Sequence, residues 1–111
     1  MKLDVQVYHA ELLVLNTEDF MNEVKGRMGD TWYNRNQMRR LYQVLDKINF
    51  YGSQHSFLLK QTGIADPDIL RKLKVLAKIM NNILKYDTTD TLYTLISGFN
   101  TVYSGVMSLE W

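Results

Sequence analysis

Catalysis and metal binding need particular side chains at particular spacings, and this sequence offers few. Its two histidines, His9 and His55, lie far apart with no metal-ligand spacing around either. Cysteine is absent, which removes thiol nucleophiles and disulfide frameworks together. Gln54-His55-Ser56 does not form a nucleophile–base arrangement, and His55 reads as a surface or capping histidine. The glycines of KGRMGD have the wrong spacing for a phosphate-binding or dinucleotide loop. Glu11, Glu18, Asp19 and Glu23 fall in an exposed first helix, where they serve capping and solubility. The expectation is a non-enzyme with no metal and no cofactor.

The cations have more order. Residues 1–30 carry three basic and six acidic side chains, residues 31–86 ten basic and three acidic, and residues 87–111 three acidic and no basic ones. Arg71, Lys78 and Lys85 are spaced seven apart, with Lys74 and Asn81 between them, and residues 69–86 hold no acid. Seven residues make nearly two helical turns, so these side chains share one line about 21 Å long. Asn36, Arg40, Gln43 and Lys47 make a second polar line. Such a line can follow a phosphate backbone without reading sequence, or meet an acidic protein surface. Trp32, Tyr33 and Tyr51 lie in the same basic region, either as stacking platforms or as semi-buried fillers.

A third pattern is steric. In ISGFNTVYSGVM, Ser97 and Ser104 stand seven apart, as do Gly98 and Gly105. Glycine inside a helix costs about 1 kcal/mol against alanine. Two on one face imply close approach by another helix, from this chain or from a second copy. A homodimer joined through Ser97, Gly98, Ser104 and Gly105 is the self-association expectation.

The elements that must hold these groups follow from periodicity and capping. Residues 1–15 stay open: Leu3, Val5 and Val7 alternate as in a strand, while Leu3, Val7, Ala10 and Val14 fit one helix face. A short helix then starts at Asn16 or Thr17 and ends before Gly29. Met38, Leu41, Leu45 and Ile48 define a second helix with Gly52 as its C-cap. SQHSFLLKQT forms a short third helix that stops at Gly63. Asp66 as N-cap and Pro67 at the first helical position begin a long helix to about Tyr86, with Ile69, Leu73, Leu76, Met80 and Ile83 as its apolar face. A last helix starts near DTTDT and turns Leu92, Ile96, Phe99, Tyr103 and Val106 inward. The fold class is mainly α, a compact four- to five-helix bundle in one domain over residues 1–111, with a short N-terminal strand left open.

Residues 61–78, QTGIADPDILRKLKVLAK, resemble the turn and second helix of bacterial helix-turn-helix regulators. That resemblance implies a sequence-reading DNA-binding unit over residues 53–78. Against it, Leu59 stands where a small residue lets such helices cross, and Asp66 and Asp68 would meet phosphates at the entering turn. Residues 36–45, NQMRRLYQVL, are similar to the start of the first conserved helix in the small helical subunits of type III CRISPR effector complexes, which line a nucleic-acid path. That likeness spans about ten residues and carries no functional residue over.

The sequence thus predicts a cytoplasmic, non-enzymatic binding protein: an assembly subunit, adaptor or inhibitor. Arg71, Lys74, Lys78 and Lys85, with Arg40 and Lys47, form its candidate surface for a nucleic-acid backbone or an acidic protein. Its partner would be a protein or nucleoprotein complex. The N-terminus lacks a signal-peptide pattern, and no apolar run reaches membrane-spanning length.

Overall fold

The computed structural model describes residues 3–27, 35–85 and 95–109, and within them four α-helices. These are α1 (Leu3–Arg27), α2 (Arg35–Thr62), α3 (Pro67–Lys85) and α4 (Ile96–Met107). Helix α1 packs on α2 and α4, and α3 packs on the same two, so the helices form a four-sided bundle. Neighbours run antiparallel. Gly52 lies against Leu13 and Val14, while Lys60 pairs with Glu11 nearer the start of α1. Gly98 and Gly105 lie against Phe20 and Leu13 in the same reversed order.

Helix α1 joins two regions that periodicity kept apart. The N-terminal strand is not seen, because the alternating valines belong to a continuous helix. Its buried seam is Ala10, Leu13, Thr17, Phe20 and Val24, alternating three and four apart. Thr17, a candidate N-cap, is instead fully buried in mid-helix, where its hydroxyl donates to the Leu13 carbonyl at 2.7 Å. That local bond satisfies the hydroxyl without a helix end.

Helix α2 also runs through an expected boundary. Gly52 does not cap it; the helix continues to Thr62, so residues 53–62 are not a separate element. Gly52 instead faces α1, where a Cβ would stand 3.5 Å from Val14 Cγ2. The actual stop is Gly63, with φ of 72°, whose N–H donates to the Leu59 carbonyl at 2.9 Å. The Thr62 hydroxyl accepts the Ile64 N–H at 3.1 Å, and the Asp66 carboxylate accepts the Asp68 N–H at 2.8 Å, starting α3.

The core follows the expected seams of α2 and α3. Met38, Leu41, Leu45, Ile48, Ile69, Leu73, Leu76, Met80 and Ile83 are all buried, joined by Leu70 and Ala77. Helix α4 is turned from expectation: Ile96 is exposed, Phe99 and Tyr103 pack at the core edge, and Leu95, Val102, Val106 and Leu109 are buried. The glycines explain this rotation. Gly98 and Gly105 face α1, so the backbones approach most closely on the small side of α4. Leu92 lies outside the described residues.

Candidate docking surface

Residues 67–85 form one unbroken helix, the premise of the cationic line. Its apolar seam turns inward, and Arg71 and Lys78 stand exposed on the opposite side. Lys74 is half-buried and has an interaction partner. The side chain of Lys85 lies outside the described residues. On α2, Arg40 and Lys47 are exposed, as are Asn36 and Gln43 between and before them.

Arg71 is already paired. Its guanidinium meets the Asp68 carboxylate at 2.7 Å, an i,i+3 contact with both side chains about 70% exposed to water. An ion pair this open contributes at most about 1 kcal/mol. Asp68 therefore lowers the local positive charge while leaving the guanidinium within reach of a stronger anion. The acidic first turn is also a good helix start: Asp66 caps it, and Asp68 sits where the macrodipole favours an anion.

The structure adds groups that spacing did not single out for the surface. Lys72 holds its ammonium 5.3 Å from the Tyr51 ring centroid, bridging α3 to α2. Tyr51 is half-buried under that lysine and meets Phe50 edge-on at 5.2 Å, so it is a filler between the helices. Val75 and Ile79 are exposed on the outer side of α3, and Phe50 and Phe57 on the outer side of α2. Their signal was present in the sequence. Phe50 and Phe57 are seven apart, on the side of α2 away from Met38, Leu41, Leu45 and Ile48. Trp32 and Tyr33 lie outside the described residues.

The residues that resemble a helix-turn-helix span the end of α2, the turn and the first half of α3. Residues 53–62 are the last turns of a 28-residue helix, and α2 and α3 lie antiparallel along their shared core. Contact near the turn, where Leu58 and Ile69 line one groove, continues to the Tyr51–Lys72 pair. The two helices are joined by the short turn at residues 63–66.

The small residues of α4 also resolve. A Cβ on Gly98 would stand 2.5 Å from Phe20 Cδ1, and one on Gly105 3.2 Å from Leu13 Cδ1. The close approach is made by α1 of the same chain, so these glycines seal the bundle and do not call for a second copy. Ser97 and Ser104 are exposed beside them; their carbonyls accept the hydroxyls of Thr101 and Ser108.

His55 is not a surface or capping residue. It is 1% exposed, and its Nδ1 has no hydrogen-bond partner among the described residues. Burial lowers its pKa below the ordinary 6.5, because the interior disfavours the imidazolium. Among the described residues, no group of three His, Asp or Glu side chains is placed to hold a metal ion. None of the described helices is long and apolar enough to cross a membrane.

Comparison with protein-family models, curated proteins and solved structures finds no match.

Proposed function

We propose that this protein is a non-enzymatic docking subunit that engages a nucleic-acid backbone through the outer face of the α2–α3 hairpin. The observation that carries the reading is the exposure of Arg71 and Lys78 on an unbroken α3, with Arg40 and Lys47 exposed on the antiparallel helix beside it. Beyond Asp68, α3 has no acid to neutralise its line. Phosphates held this way are recognised by charge and spacing, so binding tolerates any sequence.

The test is a gel-shift titration against salt with single- and double-stranded probes of unrelated sequence. Three to four phosphate contacts give a log–log salt slope of about −3, an affinity loss of roughly 60-fold between 50 and 200 mM salt. Lys78→Ala and Arg40→Ala should each make the slope shallower by about one unit. Equal binding to unrelated probes supports backbone docking, whereas enrichment of one motif would favour the sequence-reading alternative.

A second reading has its own support. Val75 is 51% and Ile79 39% exposed on the same helix as the cations. A surface that interleaves aliphatic and basic groups also suits an acidic, partly apolar protein partner, as for an adaptor or inhibitor. Absence of binding to either probe at 50 mM salt would favour this partner over nucleic acid.

A further inference from the structure

Helix α2 has two seams. One faces the core; the other, on the opposite side, is Arg39, Gln43, Asp46, Phe50, Ser53, Phe57 and Lys60, alternating four and three apart and exposed throughout. Exposed seams of a docked helix are normally polar from end to end. Here the middle is apolar: Phe50 is 56% and Phe57 61% exposed, around the small Ser53. Shallow grooves flank this ridge. One, of ≈ 620 Å³, is lined by Phe50, Phe57, Leu58 and Ile69; the other, of ≈ 370 Å³, by Val14, Leu15, Ser56 and Phe57.

We propose that the occupant of this face is a second copy of the chain, with the two α2 helices antiparallel about a two-fold axis at Ser53. The seam is complementary to itself in that arrangement. Asp46 and Lys60 lie seven residues on either side of Ser53, so each carboxylate meets the other copy's ammonium. Phe50 and Phe57 lie three before and four after, so each ring faces the other copy's counterpart across the axis. Ser53 lets the backbones approach at the crossing point, and each phenylalanine has a groove beside it to enter. A parallel pairing would set Asp46 against Asp46 and Lys60 against Lys60, which like charges oppose. Lys60 already holds Glu11 at 2.7 Å, and an ammonium has three donors, enough for a second carboxylate. A two-fold contact of this kind is isologous and closes at two copies.

The experiment is sedimentation equilibrium of the full chain from about 1 to 200 µM, with helix content followed by circular dichroism. The wild type is expected to move from monomer to dimer across this range. Phe57→Ser should raise the dimer dissociation constant at least about 30-fold while leaving the helix content unchanged. Asp46→Lys and Lys60→Glu should each weaken self-association, because each sets like charges against one another. Mixing these two variants should restore the dimer, since every pair across the axis then carries opposite charges. A wild type that stays monomeric at 200 µM overturns the proposal. So does a dimer that survives Phe57→Ser, or a mixture no tighter than its components. Retained nucleic-acid binding by Phe57→Ser would keep this outcome separate from the docking reading.

Discussion

Three helical glycines provide a controlled comparison, because replacing each with alanine has the same intrinsic benefit and a different steric cost. The benefit is about 1 kcal/mol per position. At Gly52 the added Cβ would sit 3.5 Å from Val14 Cγ2, an ordinary contact, so Gly52→Ala should stabilise by about 0.5–1 kcal/mol. At Gly98 it would sit 2.5 Å from Cδ1 and 2.9 Å from Cε1 of Phe20. Carbon atoms prefer about 3.5–4.0 Å, so the ring must retreat by about 1 Å. Phe20 is only 2% exposed, which leaves a rigid ring little room to move. Overpacking of this kind costs about 1–3 kcal/mol, and after the helix benefit Gly98→Ala should destabilise by roughly 1 kcal/mol. Gly105 lies between the two, because its 3.2 Å contact is with a terminal methyl of Leu13 that can turn aside.

Thermal and urea unfolding of the three variants would read this order. About 1 kcal/mol moves the midpoint of a domain this size by roughly 4 °C, so Gly52→Ala and Gly98→Ala should differ by about 8 °C. A double-mutant cycle with Phe20→Leu should recover at least about 1 kcal/mol of the Gly98→Ala cost. Equal stabilisation by Gly98→Ala and Gly52→Ala, or no coupling to Phe20, would refute the seating of α4 on α1.

Other expectations follow from single groups. His55 is buried neutral, so between its folded pKa and 6.5 the unfolded chain binds more protons, and stability should decline as pH falls through 6.5. Midpoints measured from pH 7.5 to 5.5 should show that decline in the wild type and a smaller one in His55→Leu. Asp68→Asn removes an anion from the cationic face and releases Arg71; it should change stability by less than about 1 kcal/mol and tighten nucleic-acid binding in the gel shift. Leu73, fully buried, should cost about 2–5 kcal/mol on change to alanine, whereas the half-exposed Val75 on the same helix should cost under about 1 kcal/mol by urea titration.

Periodicity and capping determined much of this molecule unaided. The inward faces of α2 and α3 follow from apolar residues recurring every three or four positions, and the start of α3 from Asp66 and Pro67. These signals are local, lying within one helix and needing no neighbour. The same locality made the line of Arg71 and Lys78 visible in advance. The features that local signals misplaced or left open were ones that depend on a neighbour. Gly52 and Thr17 are ordinary helix-end residues by type, but α1 and α2 continue through them because each is packed where its small size or its hydroxyl is satisfied. Gly98 and Gly105 announced close approach without naming the helix, and only packing assigned it to α1. His55 and Ser56 are buried although their residue types suggest surface, whereas Phe50 and Phe57 are exposed although theirs suggest core. Residue type states what a position would prefer. Which helix lies opposite decides whether the preference is met, and that is a property of the assembled bundle.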